Sequence, residues 1–388
     1  MIQRTLTLLI LLPVMSCLFA SEPIIPAPPQ LAAEGYLLID ATTGTTLVEH
    51  NARQRLPPAS LTKIMTSFVA ATEIERGTAG LQDSVNISVK AWRMEGSRMF
   101  IQEGSKVSVE DLLKGIIIQS GNDASVAIAE HIAGSEEAFA DVMNQQASRL
   151  GLVDTNYVNA TGLPDESHYT TASDLATLAI ALIDRFPEHY KMYAEKYYTY
   201  NNIRQANRNS LLWRDNTVDG VKTGHTEAAG YCLVASAERD GMRLVSVVMG
   251  TVSEAARATE SQKLLTYGFR YYETVPLYSG NESLKKVRVW GGSHSSINLG
   301  LGNDVVVTIP RGARESLGAH MDIGAEIHAP LSDGQELGTL TILMNEKKLM
   351  TIPLVALNAV AEAGFFSRIW DAISLFFLRL FGGDPLKL

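Results

Sequence analysis

Cysteine is nearly absent. Of 388 residues only Cys17 and Cys232 are cysteines, and Cys17 lies in an N-terminal stretch expected to be removed. A chain left with one thiol forms no internal disulfide. Cys232, inside the run Tyr231-Cys232-Leu233-Val234, reads as a buried small hydrophobe and not as a nucleophile. Histidines such as His50, His131, His168 and His328 are scattered without ligand spacing, so no metal is expected, and no cofactor motif is read. Excess positive charge is also lacking. A formal net charge of -9 and a pI near 5.5 argue against nucleic acid as a partner. The N-terminal apolar run, Leu6 to Phe19, is too short for a comfortable membrane span. With Arg4 before it and Ala20-Ser21 after it, residues 1–20 read as a secretory signal peptide.

What remains is a globular composition, 46% hydrophobic and 19% charged, on a chain too long for one small core. Two strand-like runs, Gly35 to Asp40 and Thr45 to His50, form an expected hairpin. An apolar helix follows from Ser60 to about Arg76, then a short strand from Val85 to Val89. Ser108-Val109-Glu110-Asp111 resembles a capping box opening a buried helix, which ends at Ser120-Gly121-Asn122. A second helix begins at once at Ala124 and runs to Ile132. Gly220 to Gly224 reads as a strand entering a Gly-rich turn, and Asp240-Gly241 as the turn of a second hairpin. The expected class is α+β, with one mixed sheet flanked by helices over residues 30–273. Alternating short strands then predict a small all-β domain over residues 274–356.

The tail, residues 357–388, turns helical. From Phe365 to Phe381, Ser367, Arg368, Asp371, Ser374 and Arg379 fall in one sector, and Phe366, Ile369, Trp370, Ile373, Phe376, Phe377 and Leu380 fall opposite. Such a helix lies in a membrane interface and does not cross it, so a membrane surface is an expected partner through residues 365–381.

Three short motifs stand in order: Ser60-Leu61-Thr62-Lys63, Ser120-Gly121-Asn122 and Lys222-Thr223-Gly224. On a helix, positions i and i+3 share a face, so the Ser60 hydroxyl and the Lys63 amine can touch. Ser60 also reads as the N-cap of its helix. Each motif alone is common. Together, in one secreted chain, they match the set that marks serine acyl-enzymes acting on D-Ala peptides and β-lactams.

On these motifs the chain resembles the low-molecular-mass penicillin-binding proteins of the D-alanyl-D-alanine carboxypeptidase type. The similarity extends to Asp219 to Thr226 and to Ile203 to Asn209. The resemblance implies a β-lactamase/transpeptidase-like catalytic domain, a β-rich second domain and a C-terminal anchor, facing the periplasm on the bacterial inner membrane. It implies a peptidoglycan pentapeptide substrate and inhibition by β-lactams. Ser60 would be the nucleophile, Lys63 its base and Ser120 a proton relay. Asn122 would hold the substrate amide, and Lys222 and Thr223 the terminal carboxylate, assisted by Arg204. Gly224 would admit substrate against the strand, and His225 would lend a backbone N–H to the oxyanion hole. Arg208 is read as structural. A base at Lys63 requires a lowered pKa, with burial and Lys222 as the expected causes. Two other classes are weighed. A β-lactamase needs a carboxylate for rapid deacylation; Glu166 is the nearest, in surroundings unlike that loop. A non-catalytic wall-binding scaffold would have no use for three intact motifs.

Overall fold

The computed structural model describes residues 24–387, so the expected signal peptide lies outside the described residues. Five strands form the principal sheet: Gly35–Asp40 (β1), Thr46–His50 (β2), Val218–Thr226 (β3), Gly230–Arg239 (β4) and Met242–Thr251 (β5), in the order β2-β1-β5-β4-β3. Every neighbouring pair is antiparallel, where the sequence suggested a mixed sheet. The connections explain the difference. Tight turns join β1 to β2, β3 to β4 and β4 to β5, and a tight turn can join only antiparallel strands. The Asp240-Gly241 turn has φ of 49° and 79°, the left-handed pair that suits a twisted hairpin.

Strand alternation divides the core into two layers. Val234, Val245 and Val247 face one cluster, which includes helix Lys63–Glu75 (α1). Leu233, Leu244 and Val248 face the other, with Leu264 and Leu265 of helix Glu254–Tyr271. Helix α1 is enclosed on every side over its first ten residues, Lys63 to Thr72, all of which are buried. A charge at its first residue is therefore placed in the protein interior. The Ser108 cap forms as expected, with its Oγ accepting from Asp111 N at 3.1 Å. The strand expected from Val85 is shorter, Ser84–Asn86, and Val89 instead opens a short helix capped by Ser88.

Beyond Tyr271 the chain is β-rich. Tyr272–Tyr278 pairs with Val305–Pro310, and five further strands between Ser283 and Ala356 form a separate sheet. The fully buried carboxylate of Asp40 on β1 ties the two regions. It accepts from Thr274 Oγ1 at 2.5 Å and Thr308 Oγ1 at 2.7 Å.

The tail helix runs Phe365–Leu380. Its polar sector docks on the β-rich region. Asp371 accepts from Gly291 N at 2.8 Å and Arg288 Nη2 at 3.2 Å, and Arg379 pairs with Glu326. Its apolar face is left open, with Phe366 85%, Trp370 71% and Phe376 62% exposed. Among the described residues no helix is long and apolar enough to cross a membrane.

Candidate active site

Ser60 is not an α-helical N-cap. It lies in a 3-10 turn, Ala59–Thr62, that precedes α1 and has no side-chain cap. The hydroxyl is therefore free of the backbone and lies 3.0 Å from Lys63 Nζ. Two close approaches shape this turn. Ala59 has φ of 48°, a strained value for a residue with a Cβ. Gly162, at φ of 83°, passes so near that a Cβ there would lie 1.8 Å from Ala59 O. This approach carries the Thr161 carbonyl to 2.6 Å from Lys63 Nζ.

Ser120 arrives from another direction. Helix Val109–Lys114 passes into a π-helical turn, Gly115–Gln119, which inserts an extra residue before Ser120 turns left-handed at φ of 66°. The helix Asn122–Ala133 follows directly. Asn122 is tied on both sides: its Oδ1 accepts from Lys63 at 2.7 Å and its Nδ2 donates to Glu95 O at 2.6 Å. Asp123 pins the facing 99–101 segment by accepting from the backbone N–H groups of Met99, Phe100 and Ile101.

β3 supplies the third wall. Lys222 Nζ donates to Ser120 Oγ at 2.9 Å and to Thr223 O at 3.0 Å. The strand does not turn at Gly224 but continues to Thr226. At Gly224 a Cβ would meet Pro58 O at 3.0 Å and Leu61 Cγ at 3.2 Å, so this glycine lets the strand pack against the Ser60 turn. His225 is exposed and stacks on Tyr231 at 3.9 Å. The three motifs thus line one cleft of about 420 Å³, with Ser60, Ser120, Asn122, Thr223, Gly224 and His225 in its walls.

Two expectations need correction. Arg204 is not brought to the cleft: it lies on the exposed hairpin strand Ile203–Ala206 with its guanidinium 3.9 Å over the Tyr197 ring. Arg208, read as structural, lines the cleft instead. It is also a cation that acts on Lys63, alongside the expected Lys222, which shares a Coulomb repulsion with Lys63. Burial draws Lys63 down to about 7, and the Arg208 guanidinium adds to the fall. Lys222 is drawn well below its ordinary value, first by burial, then by Lys63, Arg208 and Arg257. The motifs gave no signal for Arg257. It comes from helix Glu254–Tyr271, is buried, lines the cleft and donates to Gly224 O at 3.1 Å. Thr161 and Gly162 were missed too; the only sequence signal was a turn-forming Gly-Leu-Pro run. Glu166 lines a separate hollow. Cys232 is buried and its thiol is pushed up to about 11 by that burial.

A helical region and an antiparallel sheet that bring serine, lysine, serine and lysine together within hydrogen-bond reach define a serine acyl-transfer enzyme of the penicillin-binding class. The D-alanyl-D-alanine carboxypeptidase profile matches residues 22–253, and that of the penicillin-binding protein 5 C-terminal domain matches residues 272–362. The chain belongs to the D-alanyl-D-alanine carboxypeptidase family of serine hydrolases. It is 44% identical to D-alanyl-D-alanine carboxypeptidase DacC of Escherichia coli K12, over 94% of this chain and 93% of that one. It is 45% identical to DacA of the same organism, over 93% and 92%. Penicillin-binding protein 5 from Haemophilus influenzae superposes with a TM-score of 0.84 at 40% identity, covering 87% of this chain and all of that one.

Proposed function

We propose that the protein removes the terminal D-Ala from peptidoglycan pentapeptide through an acyl-enzyme on Ser60, and that β-lactams acylate the same hydroxyl. The observation that carries this reading is the surroundings of Lys63 Nζ. A neutral amine has two N–H bonds and one lone pair. Thr161 O and Asn122 Oδ1 can only accept, at 2.6 and 2.7 Å, so they take both N–H bonds. The lone pair is left for the Ser60 hydroxyl at 3.0 Å. A Lys63 pKa near 7 leaves much of the amine neutral at neutral pH.

Ser60 Oγ gives its proton to Lys63 and bonds to the carbonyl carbon between the two D-Ala residues. The developing oxyanion is held by the backbone N–H groups of Ser60 and His225. Ser120, bonded to Lys222, passes a proton to the departing D-Ala nitrogen as the C–N bond breaks. Thr223, Lys222, Arg208 and Arg257 receive the terminal carboxylate, and its arrival favours the charged form of Lys222. Water, deprotonated by Lys63, then releases the shortened peptide. Asn122 acts mainly by fixing Lys63. The same chemistry extends to D-Ala cross-links, an endopeptidase activity.

The protein works on the periplasmic side of the inner membrane, exported by residues 1–20 and held peripherally by the open apolar face of Phe365–Leu380. Truncation after Gly364 is expected to release it from vesicles; continued binding excludes this helix as the anchor. For the chemistry, intact mass after benzylpenicillin should show one adduct, mapping to Ser60 and absent in Ser60→Ala. A Ser60→Ala protein that still frees D-Ala from pentapeptide overturns the assignment.

A further inference from the structure

Arg208 enters the cleft from a loop, and among the described residues its guanidinium has no hydrogen-bond or ion-pair partner. Its place is therefore set by the backbone on either side. The run Asn207-Arg208-Asn209 alternates. The two asparagines are buried, at 7% and 1% exposure, and the arginine between them faces outward. The two buried amides do the same two things. Asn207 Oδ1 accepts from Asn209 N at 3.0 Å, and Asn209 Oδ1 accepts from Leu211 N at 3.2 Å. These are successive Asx turns, each closed two residues on. Each amide nitrogen then reaches out of the loop. Asn207 Nδ2 donates to Glu195 O at 3.0 Å and to Tyr193 O at 3.3 Å. Asn209 Nδ2 donates to Gly220 O at 2.8 Å. Each side-chain oxygen meets an N–H and each side-chain nitrogen meets a carbonyl, so turning either amide over would set like groups against each other at both ends.

Gly220 lies on β3 two residues before Lys222. The strand is closely packed at this point: a Cβ on Gly220 would lie 2.3 Å from Tyr190 Oη, and that hydroxyl donates to Asp219 Oδ1 at 2.9 Å. The loop of Arg208 is thus tied to two separate segments. Asn207 joins it to the chain around Tyr193 and Glu195, and Asn209 joins it to the strand that carries Lys222. A carboxylate received by two cations needs them at one spacing. Buried amide-to-carbonyl bonds hold such a spacing, which two long flexible side chains cannot hold by themselves. We propose that Asn207 and Asn209 are positioning residues that set Arg208 against Lys222, so that the two cations take the terminal carboxylate of the substrate together. The proposal rests on the reading that Ser60 is acylated by a D-Ala-D-Ala stem.

The test measures kcat and KM for D-Ala release from pentapeptide by the full-length enzyme, with thermal unfolding of every variant. In Asn207→Ser and in Asn209→Ser the new hydroxyl can still close the local turn, but it is too short to reach the carbonyl beyond. Each should raise KM about three- to tenfold and leave kcat within about twofold, the split expected when binding is lost equally from ground and transition state. Arg208→Gln should raise KM by about tenfold or more, the loss of a charge-assisted contact. Adding Asn209→Ser to Arg208→Gln should change KM no further, because the asparagine acts through the arginine. The two serine variants are independent, so misfolding of one leaves the other to decide. Three results overturn the positioning role and leave the acylation chemistry standing: an unchanged KM in the serine variants or in Arg208→Gln, a rise in KM that multiplies in the double variant, or a fall in kcat and Tm with KM unchanged. Failure of the wild-type protein to release D-Ala, with no penicillin adduct on Ser60, overturns the chemistry and the positioning role together.

Discussion

The catalytic cleft and the tail helix are both organised by charged side chains, and they use them in opposite ways. In the cleft, Lys63 and Lys222 are buried, each sits beside another cation, and among the described residues neither has a carboxylate hydrogen-bond partner. In the tail, Arg368, Asp371 and Arg379 each find an opposite charge, at a surface open to water. Solvent decides the outcome. Removing water destabilises a charged amine and lowers its pKa, which makes a base. Keeping water screens an ion pair, which fixes an orientation and adds little stability.

The sharpest way to break this contrast is at Lys63. Lys63→Met should lower the second-order rate of Ser60 acylation by fluorescent penicillin about 10³- to 10⁴-fold, the upper range for a lost general base. A loss under tenfold would mean that another group takes the Ser60 proton. Next comes the approach that shields Lys63. Gly162→Ala requires a left-handed alanine and a shift of the Ala59 backbone, so it should cost about 3 kcal/mol in thermal or denaturant unfolding. An unchanged Tm would show that the loop does not pack on the Ser60 turn.

The pH dependence sharpens the comparison further. Acylation should rise through a limb near pH 7 as Lys63 loses its proton. Asn122→Asp puts a carboxylate beside the amine and should move that limb up by about one unit. A limb that stays in place would mean that residue 122 does not contact the base. Stability has a sign here as well. Between about pH 7 and 10.5 the unfolded chain holds the Lys63 proton and the folded chain does not, so the penalty for burying this amine is progressively relieved and stability rises as pH rises through that window. The smallest effect belongs to the tail. Asp371→Asn should cost about 0.5–1 kcal/mol in the unfolding of the β-rich region. The cost should shrink in 1 M salt; a larger, salt-insensitive loss would mean that Asp371 acts as a buried ligand.

Local patterns in the chain carried a good deal. The hairpin turns, the Ser108 cap and the polar and apolar sectors of the tail follow from residues near one another, because turns, caps and helix faces depend on short spacings. The reach of Lys63 to Ser60 was legible for the same reason. The identity of the arginine that joins the cleft was not. Arg208 and Arg204 differ by four positions, and only the path of the hairpin before β3 decides which enters the cleft. The contacts of Asn122 were not legible either, because a motif lists residues without their hydrogen bonds; the fold ties its amide to Lys63 and to the Glu95 carbonyl.

By itself the sequence determined the family chemistry: a serine one turn before a lysine, a second serine at a helix junction, and a lysine on a strand. These are properties of residue type and order. Only the tertiary structure decided that the Lys63 amine is drawn down to about 7. That depends on its burial at the head of helix α1 and on Arg208 arriving from a distant segment. Burial and the field of neighbouring charges are sums over the whole fold, and no short stretch of the chain contains them.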